Sequence, residues 1–215
     1  MSTITIIGTG GMATAIGSLA VRALHNVEVV SRDTAKANAL VDKLGMGAAT
    51  GTFGAVPVGD IVLLAVPYAV VLDVLGRYGG ALAGKLLVDM TNPINSTFTG
   101  FVTPEGSFGA QEVIKAAPVD ANVVKAFNSQ FSHVLAAGPV DGNALDVFVA
   151  GDDAQAKARV STFIASLGLR PMDVGALPMA RTLEHLALLS LGLVAHSIHH
   201  TQFALGVSLP MAHHL

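Results

Sequence analysis

Residues 3–13 join a strand, a glycine turn and a helix with nothing between them, and few folds accept such a junction. Thr3-Ile4-Thr5-Ile6-Ile7 reads as a buried strand, and Gly8-Thr9-Gly10-Gly11-Met12-Ala13 follows at once. An apolar helical pattern then runs to Leu24, and a second strand, Val27-Glu28-Val29-Val30, ends in Ser31-Arg32. This is a βαβ opening with the G-x-G-x-x-A form of the dinucleotide-binding fingerprint. Gly8 permits the tight turn, Gly10 lets backbone amides approach a pyrophosphate, and Ala13 lets the helix lie close on the strand. The phosphates would sit on the helix N-terminus.

The end of the second strand predicts which nucleotide is bound. An NAD site usually carries an acid about 20 residues beyond the glycines, hydrogen-bonded to the ribose 2′-hydroxyl. Here the strand delivers Ser31-Arg32, with Lys36 one helical turn further on. Arg can grip a phosphate with two donors, Lys adds a point charge, and the Ser31 and Thr9 hydroxyls are further donors. That set attracts a 2′-phosphate, so NADP(H) is expected over NAD(H). The plainer reading is a solvated turn before a helix capped by Asp33.

Beyond Asp33 the chain alternates helix and strand. A helix is expected to about Lys43, a short strand within Gly45 to Gly54, and a central strand at Asp60 to Val66 stopped by Pro67. Further strands follow at Lys85 to Met90, Val123 to Phe127, Val147 to Val149 and Met172 to Val174. Continuous apolar runs of this length suit strands buried on both faces. The expected fold is α/β, a Rossmann-type doubly wound, largely parallel sheet with a small helical C-terminal part. Residues 1–176 are expected to form the nucleotide-binding domain and residues 177–215 a helical segment for dimerisation or for the acceptor pocket.

The final helix is expected from about Pro178 to Gly206. Because Leu186 to Ala195 is apolar nearly all round, it should be buried on several sides. One sheet covers only one side, so a homodimer is expected with this helix at or near its interface; the alternative is a helix buried within one chain. At ten residues, that apolar run is shorter than the ~20 needed to cross a bilayer.

Only 13% of the 215 residues are charged, against about 25% in an average globular protein. The formal net charge of −3 provides no broad basic field for nucleic acid. No cysteine is present, which removes disulfides, thiolate catalysis and cysteine-held clusters. A cytoplasmic protein with neither a membrane segment nor a signal peptide is expected. Six of the eight histidines fall at or after position 185. His196 and His200 share a helix face, but a zinc site needs a third ligand, which His213 or His214 would supply only if the tail folds back. No metal site is expected.

The chain resembles the coenzyme F420-dependent NADP oxidoreductases. The residues that carry the resemblance are Ile6 to Ala13, Ser31-Arg32, Ile61 to Pro67, Val88 to Pro93, Val124 to Ser129, Gly151-Asp152-Asp153 and Gly168 to Gly175, in the same order and spacing. The resemblance implies a homodimer whose C-terminal part completes a deazaflavin pocket. It implies that Thr9, Ser31, Arg32 and Lys36 hold the 2′-phosphate and that Gly8, Thr9, Gly10, Gly11 and Met12 cradle the pyrophosphate. Val66, Pro67 and Tyr68 would lie beside the ribose. Thr91, Asn92, Pro93 and Asn128 would surround the nicotinamide, with Asn92, Pro93 and Asn128 lining the hydride site. Nicotinamide and deazaflavin both carry hydride, so no catalytic acid or base is required of the protein; its task is to hold the rings at ~3–3.5 Å.

Two departures bear on the acceptor. Family members tied to coenzyme F420 have a histidine where this chain has Asn128, and an aliphatic residue in place of Gln130. The Ala126-Phe127-Asn128-Ser129 form instead resembles the cytoplasmic reductase domains of membrane metalloreductases, which pass hydride from NADPH to an ordinary flavin such as FMN or FAD. The expected activity is therefore an NADP(H)-dependent oxidoreductase acting on coenzyme F420 or a related flavin. The alternatives are an NADP(H)-binding redox sensor without turnover and a pyrroline-5-carboxylate reductase-like imine reductase. The latter needs a long helical dimerisation domain, and only 38 residues follow Leu177.

Overall fold

The computed structural model describes residues 2–139 and 144–208. Among these described residues, eight strands form one sheet: Thr3–Ile7 (β1), Asn26–Val30 (β2), Ala48–Thr50 (β3), Ile61–Leu64 (β4), Leu86–Asp89 (β5), Asn122–Lys125 (β6), Asp146–Gly151 (β7) and Arg170–Gly175 (β8). Their spatial order is β3-β2-β1-β4-β5-β6-β7-β8. The first six strands are parallel, β7 runs antiparallel to β6, and β8 is parallel to β7. This is the doubly wound α/β sheet that the strand pattern predicts.

Among the described residues, seven α-helices cover the two faces: Gly11–Arg22 (α1), Thr34–Leu44 (α2), Tyr68–Tyr78 (α3), Gly109–Ala116 (α4), Ser132–Ala137 (α5), Ala154–Ser166 (α6) and Ala180–Leu193 (α7). Strand side chains alternate between the two cores, as the pleat requires. Ile4, Ile6, Leu63, Val88 and Val124 pack beneath α1, α2, α5 and α6. Ile7, Val62, Leu64, Leu87 and Val123 pack beneath α3, α4 and α7. Each central strand is buried on both faces, which explains its unbroken apolar sequence. Asp33 and Asp153 cap α2 and α6 by accepting from the Lys36 and Ala156 amides.

The final helix differs from its predicted course. A 3-10 turn at Leu177–Met179 leads into α7, a π-turn over Val194–Ile198 ends the helix, and His199 adopts left-handed backbone at φ 59°. The segment expected to be helical up to Gly206 is instead drawn onto the sheet. Thr201 accepts a hydrogen bond from His133 Nε2 at 2.9 Å, the Phe203 ring stands edge-on to Phe131, and the Val207 amide donates to Asp146. Within one chain α7 is buried along Ala180, Leu183, Glu184, Ala187 and Ser190, while Leu189 is 55% exposed. The alternative of a helix wholly buried within one chain is thereby overturned. The helical run Leu177–Ile198 totals 22 residues, enough by length and composition for a membrane span. The ten-residue estimate missed this because it counted only the apolar stretch. The inner face of this run nevertheless carries Glu184, ion-paired inside the protein, as a core helix would.

Asp146 anchors the tail segment. Its carboxylate accepts from both Nε and a terminal nitrogen of Arg170 and from the Val207 amide. The Arg170 guanidinium holds the Asp146 carboxyl below its usual range, against the opposing effect of burial. A lowered folded value means that the anchor stabilises fully above the unfolded carboxyl value of about 3.9 and is lost as pH falls through the folded value. Asp146→Asn should therefore destabilise the protein by about 1–2 kcal/mol at pH 7, with Arg170 half-exposed and partly screened. In thermal unfolding the gap between variant and parent should close as pH is lowered from 5 toward 3. A gap independent of pH would show that the pair does not anchor the tail.

Candidate functional site

The carboxyl ends of β1, β2, β4, β5 and β6 lie along one edge of the sheet, and every predicted site residue follows one of those ends or begins the next helix. The chain runs from β1 outward through β2 to β3 and then crosses back past β1 to β4, and this reversal creates the crevice where doubly wound sheets bind ligands. At its centre is Gly8, at φ +130°, whose amide donates to Val30 O at 2.9 Å. A Cβ there would stand 2.1 Å from the Ala65 carbonyl oxygen, so only glycine fits between β1 and β4. A Cβ on Gly10 would meet nothing within 4 Å. The protein itself does not need that glycine; the open space above it suits a group that must approach the backbone closely.

This space opens into a cavity of about 210 Å³ lined by Gly8, Thr9, Gly10, Ser31, Arg32, Val66 and Pro67, together with Phe53, Val70 and Val74. The first turn of α1 carries no side-chain cap, which leaves its amide end for another partner. A nucleotide diphosphate fits this arrangement: open space over Gly10, an uncapped helix start and an Arg on the rim. Gly11 lies against Ser132 Oγ, and Met12 turns its side chain partly into the core, so both would contribute through the backbone. No carboxylate lines the cavity. Asp33, the nearest in sequence, is turned onto its own helix, accepting from the Lys36 amide at 3.2 Å. Arg32 forms no ion pair among the described residues, whereas Lys36 lies on the exposed face of α2, 3.5 Å from Asp33. Lys36 is thus near the site without lining it.

Further along the edge, Asn92 and Asn128 join in a reciprocal pair. Asn92 Nδ2 donates to Asn128 O at 2.8 Å, and Asn128 Nδ2 donates to Asn92 Oδ1 at 2.9 Å and to Leu183 O at 3.0 Å. Both line a second cavity of about 110 Å³ with Ile94, Gln130, Phe131 and Ser190. Phe127, just before Asn128, holds left-handed backbone at φ 64° while buried. A non-glycine residue pays about 1–2 kcal/mol for that conformation, which here turns the chain after β6 back toward Asn92. Thr91 and Pro93 are buried: Thr91 Oγ1 donates to Asp89, and the Pro93 ring lies against Gly109. These two residues shape the edge from beneath.

Sequence reasoning missed the base of this edge. Lys125, fully buried, donates to Asp89 Oδ2 at 2.9 Å, Glu184 Oε1 at 2.9 Å and Thr91 O at 2.6 Å. Glu184 also accepts from the Gly109 and Ala110 amides, capping α4. A lone Lys inside Val-Val-Lys-Ala-Phe and a lone Asp ending Leu-Leu-Val-Asp were visible signals of buried charge. Their pairing was not, because the partners lie 36 and 59 residues apart. Phe53, set edge-on to Tyr78, was also missed, since nothing in its glycine-rich segment marked it.

A larger hollow, about 660 Å³, lies at the opposite ends of the strands among Ser2, His25, Asp60 and Arg159 and contains none of the predicted site residues. Among the described residues, no three metal-ligating side chains gather. His213 and His214 lie outside the described residues.

Comparison with known proteins agrees with this geometry. Residues 3–93 match the family described as NADP oxidoreductase, coenzyme F420-dependent. The chain is 31% identical to Metalloreductase STEAP3 of Rattus norvegicus over 183 residues, covering 85% of this chain and 36% of that protein. It is 30% identical to an F420-dependent NADP reductase of Methanocaldococcus jannaschii over 143 residues, 63% of this chain and 62% of that protein. The chain thus spans about a third of the first relative and under two thirds of the second. A solved structure from Arthrobacter sp. FB24 shares the fold with a TM-score of 0.84 at 24% identity, covering 97% of this chain and all of that one. In its glycine loop, its acid-free second strand end and the pattern of residues 3–93, the chain is similar to the coenzyme F420-dependent NADP oxidoreductases.

Proposed function

We propose that this protein transfers hydride between NADPH and a flavin-type acceptor, with coenzyme F420 the first candidate and FMN or FAD the second. The observation that carries the reading is the cavity over Gly10, which Ser31 and Arg32 enter and no carboxylate lines. Gly8, Thr9, Gly10 and the start of α1 would hold the pyrophosphate, Thr9, Ser31 and Arg32 the 2′-phosphate, and Lys36 would add charge from the helix face. Phe53, Val66 and Pro67 would flank the adenosine half, and Tyr68 the ribose beyond. Asn92 and Asn128 would face the nicotinamide end. When bound, the nucleotide supplies the hydride; the chain's work is to orient it and to exclude water.

The family match over residues 3–93 and the similarity to an F420-dependent NADP reductase support the deazaflavin acceptor. Asn128 and Gln130, and the similarity to a metalloreductase, are what keep an ordinary flavin as the second candidate. In this reading a second copy of the chain covers the outer face of α7, where Leu189 is exposed, and the protein works in the cytoplasm.

Absorbance at 340 nm should fall when the purified protein is given NADPH and coenzyme F420, with FMN, FAD and riboflavin as parallel acceptors. Turnover with ordinary flavins alone would transfer the protein to the flavin-reductase branch. Binding of NADPH without turnover on any acceptor would favour a sensor. Arg32→Glu should weaken NADPH about 100-fold while changing NADH binding less than threefold, because it replaces a phosphate partner with a repelling charge; equal losses would defeat the 2′-phosphate assignment. Gly10→Val should abolish binding of both nucleotides yet leave the melting temperature nearly unchanged, since its side chain has free space. Gly8→Ala should instead cost at least 2 kcal/mol of stability through its clash with Ala65. Normal NADPH affinity in Gly10→Val would show that the loop is not the cradle.

A further inference from the structure

The buried cluster of Asp89, Lys125 and Glu184 is larger than the fold needs. An ammonium group wholly out of water requires one carboxylate; this one has two, plus the Thr91 carbonyl. Every polar neighbour of both acids is a donor. Asp89 accepts from Thr91 N, Thr91 Oγ1 and Lys125, and Glu184 accepts from Gly109 N, Ala110 N and Lys125. By formal count, two carboxylates against one ammonium leave the cluster with one net negative charge. The amino end of α4, capped by Glu184, offsets at most about half of it.

That charge lies directly under the edge assigned to the nicotinamide. Asp89 ends β5, and Thr91, on which Asp89 and Lys125 both converge, immediately precedes Asn92. Its field reaches the crevice: burial, and then the charges of Glu112, Glu184 and Asp89, push the Tyr68 hydroxyl above the usual tyrosine range. NADPH and NADP⁺ differ by one hydride, so the nicotinamide ring is neutral in the first and carries a positive charge in the second. A fixed negative charge in a poorly solvated base distinguishes between them.

We infer that the Asp89–Lys125–Glu184 cluster is an electrostatic base for the hydride site that favours the oxidised, positively charged nicotinamide over the reduced one. This inference rests on the proposed NADP(H) function and adds to it a bias toward giving up hydride. The three residues act through the edge above them and are positioning residues.

The test is the ratio of dissociation constants for NADP⁺ and NADPH, from titration calorimetry of the unaltered protein, Glu184→Gln and Asp89→Asn. Removing one carboxylate charge should weaken NADP⁺ relative to NADPH by roughly three- to tenfold. A purely structural role would weaken both forms alike. Glu184→Gln places an amide group against the Gly109 or Ala110 amide, or against Lys125, and could lose its fold. Asp89→Asn keeps the bonds from Thr91 to Oδ1 and provides the same reading without touching α4. An unchanged ratio in a folded variant, or a shift favouring NADP⁺, would overturn the inference while leaving the proposed function standing. Failure of the unaltered protein to bind either nucleotide would overturn the proposed function itself.

Discussion

A parallel strand buried on both faces can satisfy its amides and carbonyls only through its neighbours. That constraint governs this molecule. Ile4 to Ile7 pair with Val27 to Val30 on one side and with Ile61 to Leu64 on the other, in unbroken register. Because the register is held, the carboxyl ends finish level and the loops after β1, β2, β4, β5 and β6 open on one edge. Gly8 meets the same constraint where β1 ends. It must bond to Val30 while its Cα passes the Ala65 carbonyl, and only a residue without a Cβ can do both.

The crevice divides into two kinds of environment. The glycine-loop end is wet and cationic, with Arg32 exposed and Lys36 partly neutralised by Asp33. The Asn92–Asn128 end is more buried, with a reciprocal hydrogen-bonded amide pair above a buried ion cluster. Removing Lys125 from that cluster would cost on the order of 3–5 kcal/mol, since two carboxylates would stay buried without a cation. The cluster also joins β5, β6, α4 and α7, so the C-terminal helix is fastened to the hydride end by Glu184 and by the Leu183 carbonyl on Asn128.

Local chemistry made much of this legible. The glycine loop, the cap at Asp33 and the acid-free end of β2 depend on residues within a few positions of one another, and the central strands are marked by runs that are apolar on both faces. The last helix was harder. Its apolar stretch predicted a longer helix and burial on several sides, yet its buried face is marked by Glu184 and Ser190, and Leu189 faces outward. Hydrophobicity alone misjudges a helix whose inner face carries an ion pair. The tail from Thr201 to Val207 went unread because its partners, His133, Phe131 and Asp146, are more than fifty residues away.

By itself, then, the sequence determined the order of strands and helices, the glycine loop and the absence of an acid at the end of β2, because each follows from short-range sterics, periodicity or charge. Only the tertiary structure decided that Lys125 is matched by Asp89 and Glu184 and that Asn92 pairs with Asn128. It also decided that the tail folds onto Asp146. Those outcomes depend on which groups remain without water or a partner once the sheet has closed, and residues far apart in the chain acquire that relationship only by packing.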